Sequence, residues 1–205
     1  MLTVVDHPLV AHYLTTLRDR STGSADFRAT ARRLAYVLVT EALSDMPVAE
    51  VEIETPLEGM TAGRLGKPVV FVAVFRAGLG LIDAALDLVP DARIGYAGVQ
   101  RNEETAQPME YYTKFPEMGD ARVVILEPML ATGGSLEWAV SKVKAHGATD
   151  VTAVCVVAAP VGVEAMEKAH PDVRVVTAAL DRDLDHHFYI RPGLGDMGDR
   201  LFGTA

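Results

Sequence analysis

VVILEPMLATGGS, residues 123 to 135, holds a buried strand, a carboxylate, a glycine turn and a helix start within thirteen residues. Val123, Val124, Ile125 and Leu126 form an apolar, largely β-branched run of the kind found in a strand covered on both faces of a parallel sheet. Glu127 interrupts that run where open α/β sheets place their ligands, in the crevice beyond the strand tips. Thr132, Gly133, Gly134 and Ser135 then open an amphipathic segment through Lys144, with Leu136, Val140 and Val143 at helical spacing. The first N–H groups of a helix have no intrahelical partner and carry the positive end of its dipole, so a glycine turn here lets a phosphate come close. A TGG turn alone is most often only a tight turn. A hydroxyl beside the glycines and a carboxylate five positions before it favour more: one group suits phosphate and the other sugar hydroxyls, so the pair points to a ribose 5-phosphate ligand.

The chain has 205 residues, enough for one sizeable core, and is read as a single domain over 1–205. A hydrophobic share of 49% with 23% charged residues is ordinary for a globular protein, and no apolar run reaches the length of a membrane span. The amino terminus, MLTVVDHPLV, lacks the basic and apolar regions of a signal peptide, which predicts a cytoplasmic protein. The single cysteine, Cys155, sits in the apolar run VTAVCVVAAP and reads as a buried small hydrophobe. A net charge of −9 disfavours nucleic acid, so an anionic small ligand needs a local basic pocket or a divalent cation.

Working outward, Asp6 is the expected N-cap and Pro8 the first residue of a helix ending near Arg20, and Ser24 the cap of a second helix to about Leu43. Val51 to Thr55 alternates like an edge strand, followed by a polar turn through Gly66 and Pro68. Pro68 to Val74 is another buried strand, ending in FRAGLG before the apolar segment Leu81 to Leu88. Arg76 at that strand tip, followed by glycines, puts a cation and free N–H groups together, a fit for a diphosphate. Ala92 to Val99 is a third strand. Gln100 to Pro116 reads as a projecting hairpin or arm on which Arg101, Tyr111, Tyr112 and Lys114 either close over an anion or lie exposed. Val151 to Ala159 and Val173 to Leu180 are two more buried strands around a short helix, Val163 to His170, and the alternation argues for a doubly wound parallel sheet. The cluster DRDLDHH, Asp181 to His187, is expected to be a solvated loop, since adjacent His186 and His187 would point apart in extended chain. The tail from Tyr189 carries four glycines and two aspartates, so its backbone is suited to close ligand approach.

HPLV at His7, FRAGLG at Phe75, RNEET at Arg101, PMLATGGS at Pro128, AAP at Ala158, AHPDV at Ala169, and YI, PGLGD and GDRLFGT in the tail occur in one order over nearly the whole chain. Together they resemble the uracil phosphoribosyltransferase family. The resemblance implies a type I-like phosphoribosyltransferase α/β fold, a doubly wound parallel sheet with a small hood from the chain termini, usually dimeric or larger, with GTP a possible effector. It implies transfer of ribose 5-phosphate from phosphoribosyl diphosphate to N1 of uracil, giving UMP and diphosphate. By motif position, Arg76 and Arg101 would meet the diphosphate. Glu127, Pro128, Met129, Leu130, Ala131, Thr132, Gly133, Gly134 and Ser135 would hold the ribose and 5-phosphate. Ile190, Gly195, Asp196 and Met197 would meet uracil, with Asp196 also facing phosphoribosyl diphosphate; Glu127 and Asp196 are its nominated catalytic residues. Magnesium is expected on the diphosphate, held mostly by substrate oxygens and water, with no metal site made by protein alone.

The chain departs from the family's usual residues at Glu127 for aspartate, Met197 for alanine and Phe188 for glycine. Two alternatives stand beside this reading: a regulatory nucleotide-binding protein of the same fold without turnover, and a transferase for another base. The acidic chain offers no basic face for RNA, and the tail motif argues against a purine.

Overall fold

The structure, a computed structural model, describes residues 1–101 and 108–204. Its centre is the pair β4 (Val69–Phe75) and β7 (Arg122–Leu126), which run parallel with Val72 beside Ile125. Both are apolar throughout because both faces are covered. Val70, Val72, Val74, Val123 and Ile125 face one core, with α4 (Gly134–Ala145) and α5 (Pro160–Ala169). Phe71, Ala73, Val124 and Leu126 face the other, with α1 (Pro8–Arg18), α2 (Ser24–Ala42), α3 (Leu79–Leu88) and α6 (Met197–Phe202). A strand's period of two thus divides one apolar run between two helical layers.

From β4 the chain passes through α3 to β5 (Arg93–Arg101) on one side, and returns through β6 (Pro108–Lys114) to β7 on the other. It continues through α4 to β9 (Asp150–Ala158) and through α5 to β10 (Arg174–Leu180). The loops leaving β4 and β7 therefore diverge at the point where the winding reverses, where such sheets open a crevice. β6 is the antiparallel edge strand, and the short β8 (Met129–Leu130) adds to β9. Among the described residues no helix is long and apolar enough to cross a membrane.

Several local expectations are corrected. The opposite edge of the sheet is β1 (Leu2–Val4), parallel to β10 and unmarked by the sequence reading. The expected edge strand is instead β2 (Val48–Glu54), which pairs only with β3 (Gly59–Leu65) in a separate antiparallel hairpin; the supposed polar turn is half of it. The N-cap of α1 is His7, whose Nδ1 accepts from the Leu9 N–H at 3.1 Å, and the helix stops at Arg18. Gly23, not Ser24, caps α2.

The stretch read as a solvated loop is a built part of the hood. Asp181 is buried and takes both Arg18 guanidinium nitrogens, at 2.8 and 2.6 Å, and the Gly193 N–H at 2.9 Å. β11 (Asp183–Leu184) and β12 (Ile190–Arg191) follow as a small antiparallel ribbon. His186 and His187 do not point apart: the hairpin turn brings their ring centroids to 3.9 Å. Arg200 fastens the tail to the first helices, donating to the Leu194 and Asp19 carbonyls and lying 4.3 Å over the Phe27 ring. The hood is thus the carboxyl-terminal tail held on α1 and α2, while the first residues join the main sheet.

Candidate active site

The tips of β4, β5 and β7 and the hood enclose a cavity of about 430 Å³. Arg76 follows β4, Gln100 lies at the end of β5, Glu127 follows β7, and Ile190 and Gly195 to Gly198 come down from the hood. A space of about 190 Å³, lined by Thr132 to Ser135, shares Met129, Ala131 and Phe188 with it. On the far side of Arg76 a third, of about 250 Å³, is bounded by Gln100 and Tyr111. A roomier one of about 530 Å³ lies at the amino end of the strands, where Arg64, Lys67 and Asp91 join Leu65, Val69, Leu88 and Val89, but no glycine turn there opens a helix and none of its lining residues is a buried carboxyl. Chemistry, not size, selects the first three.

Glu127 is the electrostatic peculiarity of the cavity. The residue is 9% exposed, and among the described residues Oε2 has no hydrogen-bond partner. Burial pushes its carboxyl up to about 8, only partly opposed by the Met129 N–H that donates to it. Burial thus favours the neutral form of this carboxyl near neutral pH. Cys155 lies buried nearby; burial, with Glu127 adding to it, raises the thiol and keeps it inert.

Gly133 sits at φ 91°, in the left-handed region, as the N-cap of α4 and makes no side-chain cap. A Cβ there would meet the Ala165 Cβ at 3.0 Å and the Gly162 carbonyl at 3.2 Å. The glycine thus lets α4 start against α5 with its first N–H groups turned to the 190 Å³ space. At the other wall, Asp196 caps α6 by accepting the Asp199 N–H at 2.8 Å, and Met197, 1% exposed, backs the cavity from the core.

Of the nominated residues, Arg76, Glu127, Met129, Ala131, Ile190, Gly195, Asp196 and Met197 border the main cavity, and Leu130 and Thr132 to Ser135 the phosphate-sized one. Pro128 borders neither: it is buried, and its carbonyl accepts from the Val156 and Val157 N–H groups. Arg101 ends β5, and its side chain lies outside the described residues. On the arm, Tyr112 stacks on Phe75 with centroids 6.0 Å apart, while Lys114 borders none of the three spaces. Phe75, Ala77, Gln100, Tyr189 and Gly198 also border the main cavity, outside the residues the sequence reading points to. Gln100 answers to the strand-tip rule that found Arg76 and Glu127; Tyr189 arrives through the hood's turn and has no local signal beyond its place in the YI motif.

Phe188 lines both the main and the phosphate-sized spaces and has φ 64°. Its N–H donates to the Asp185 carbonyl, and Asp185 Oδ1 accepts from the His187 and Tyr189 N–H groups, so a tight turn imposes the left-handed backbone. That is the physical reason glycine suits the position, and this chain keeps a phenyl ring there instead.

A buried carboxyl beside a glycine-opened helix start, roofed by a hood at the switch point of a parallel sheet, is the arrangement of a phosphoribosyltransferase. The adenine phosphoribosyl transferase of Trypanosoma brucei shares the fold, with a TM-score of 0.59 at 14% identity over 91% of this chain and 86% of its own. A model of the uracil phosphoribosyltransferase family matches residues 4–204, and the chain belongs to that family. It is 49% identical to the uracil phosphoribosyltransferase of Salinibacter ruber over 99% of this chain and 97% of that one, and 47% identical to that of Alkaliphilus oremlandii over 99% and 98%. A solved protein of Aquifex aeolicus matches with a TM-score of 0.96 at 39% identity, covering 100% of this chain and 99% of its own.

Proposed function

We infer that this chain transfers ribose 5-phosphate from phosphoribosyl diphosphate to N1 of uracil, giving UMP and diphosphate, a pyrimidine-salvage reaction. One observation carries the reading: the hood's Ile190 and Gly195 to Met197 face Glu127 across the cavity that runs on to the glycine turn. Base, sugar and 5-phosphate would then meet main chain, carboxyl and helix start in that order.

The bond from the anomeric carbon to diphosphate breaks as the bond to N1 forms, and uracil gives up its N1 proton. Departure ahead of full bonding makes the sugar oxocarbenium-like, so the site's work is to align the base and to favour charge on the leaving group. Arg76 and helix-start N–H groups support the second task. The main cavity is lined by no described histidine or cysteine, and no general base is assigned. Among the described residues no three His, Cys, Asp or Glu side chains gather as a metal site. Magnesium would be held by diphosphate oxygens and water, with the second Asp196 oxygen as the ligand the cavity wall offers, and would neutralise the leaving diphosphate. Association is part of the reading. The β2–β3 hairpin holds the cross-strand pair Val48 and Leu65 on one face, and Ile53 and Met60 on the other, out to solvent, apolar surface that a second copy would cover. GTP as effector rests on the family resemblance alone.

The test is incubation of the full chain with Mg²⁺, phosphoribosyl diphosphate and single bases. UMP is the expected product from uracil. Cytosine should be rejected by roughly a hundredfold or more, because its amino group and unprotonated N3 leave two hydrogen bonds of a uracil-shaped site unmade. Turnover with purines only, or diphosphate release with no base incorporated, would overturn the reading, and binding without turnover would favour the regulatory alternative.

A further inference from the structure

Arg76 reaches the cavity on a half-exposed side chain, yet its guanidinium is held in place. Nη2 donates to Asp199 Oδ1 at 2.8 Å, and Nη1 donates to Thr204 Oγ1 at 3.0 Å. The Thr204 hydroxyl in turn donates to Asp199 Oδ1 at 2.6 Å, closing a three-membered network across more than a hundred residues of chain. The tail is shaped for this. Gly203, at φ 67°, turns the chain back after α6, with its N–H on the Asp199 carbonyl at 2.7 Å, and so delivers Thr204 beside Asp199. The hydroxyl and the guanidinium together hold the Asp199 carboxyl below the usual carboxylate range, so it is ionised at neutral pH.

An arginine has five N–H donors, and this network uses two. The remaining three stay available to the cavity and to the 250 Å³ space that Arg76 also borders. A free arginine side chain would have to give up its rotamer freedom when it met an anion, whereas one already held gives up less. We propose that Asp199 and Thr204 are positioning residues for the leaving diphosphate: they hold the Arg76 guanidinium at the cavity mouth so that it is preorganised for a second anion. The same short helix supplies Asp196 and Met197 to the cavity wall, so the hood segment that meets the base also sets the cation on the phosphate side. The opposite arrangement, in which Asp199 blocks Arg76 and must be displaced by substrate, predicts changes of the opposite sign.

This inference rests on the reading of Arg76 as a diphosphate contact, and steady-state kinetics of the full chain separate the two. Asp199→Ala should raise the KM for phosphoribosyl diphosphate about tenfold, the scale of one hydrogen bond to a charged group, while the KM for uracil moves less than about twofold. Asp199→Asn, which keeps the acceptor oxygen, should recover part of the loss. Thr204→Val, at an exposed tail position where folding is not at stake, should raise the same constant about threefold, and Thr204→Ser should restore it. In an Arg76→Ala background the Asp199→Ala change should add nothing further. A lowered KM in Asp199→Ala, or a full additive effect without Arg76, would overturn the positioning role. If Arg76→Ala itself left the phosphoribosyl diphosphate constant unchanged, the diphosphate reading would fail, and the inference with it.

Discussion

Strand β7 begins on one buried ionisable side chain, Arg122, and is followed directly by another, Glu127, and the two ends are treated in opposite ways. At the amino end Arg122, its side chain 7% exposed, is paired with Asp45 and Asp150, each at 2.8 Å, while Lys67 holds the other Asp150 oxygen at 2.9 Å. Arg122 also reaches the Ala42 carbonyl, and Arg174 donates to Glu41 and Ala42, so two guanidinium groups cover the negative end of α2. The Arg122 hydrogen bond holds the Asp45 carboxyl below its ordinary value. At the carboxyl end Glu127 has no counter-charge against it and one unpartnered oxygen among the described residues, and its carboxyl rises to about 8. Buried charges are normally paired because desolvation is expensive, and a group left unpaired in a cleft is more informative than a paired one. One end of the strand holds the fold together; the other is kept ready for a ligand.

The comparison breaks first at the amino end. Arg122→Met should lower stability by about 2 kcal/mol, less than the full effect of breaking a buried pair, because Asp45 is largely exposed and Asp150 keeps Lys67. For a chain of this size that is a fall of roughly 4 to 8 °C in Tm, with KM values unaltered below the transition. A variant that melts like the parent would show the network to be decorative.

The carboxyl end should give the reverse behaviour under pH. An unfolded Glu127 ionises near its ordinary value of 4.5, whereas the folded one stays protonated to about 8. Between those values the native state binds the extra proton, so this group's contribution to stability is whole below about pH 4.5 and is lost as pH rises toward 8. Each pH unit in that window is worth up to about 1.4 kcal/mol. Glu127→Gln removes the titration, so its Tm should gain on the parent by a few degrees between pH 5.5 and 6.5, read by calorimetry. A gap independent of pH would mean that the carboxyl is already ionised and that the contrast between the two ends is one of geometry only.

What the sequence disclosed divides along the same line. The carboxyl ends of β4 and β7 were legible because their signals are local: apolar runs broken by Arg76 and Glu127, then glycines. The amino-end network was not, since Asp45, Asp150, Lys67 and Arg122 come from separate elements and no spacing links them. Asp181 was misread as solvated for the same reason; its partner Arg18 lies 163 residues away. β3 escaped notice because GMTAGRL is almost wholly exposed, so it carries no alternation of buried and exposed positions. β1 is three residues long and becomes a strand only because β10 presents an open edge. Chemistry at strand tips can be read along the chain; pairing across it requires the fold.

The smallest effect concerns strain at the carboxyl end. Phe188 holds φ 64°, a conformation that costs an L residue roughly 1 to 2 kcal/mol and glycine almost nothing. Glycine in turn loses about 0.5 to 1 kcal/mol more chain entropy on folding than alanine does. Replacing Phe188 by alanine removes the ring and keeps the strain; replacing it by glycine removes both. The two variants therefore share the lost contacts of a half-exposed ring, and their difference isolates the backbone. Phe188→Gly should melt above Phe188→Ala by up to about 1 kcal/mol, or roughly 2 to 4 °C. Both should raise substrate KM a few-fold by the same factor, because the ring stands where the main cavity meets the phosphate-sized one. Identical melting of the two variants would show that the turn relaxes without its left-handed residue, and the strain would then have no part in what sets the carboxyl end apart from the amino end.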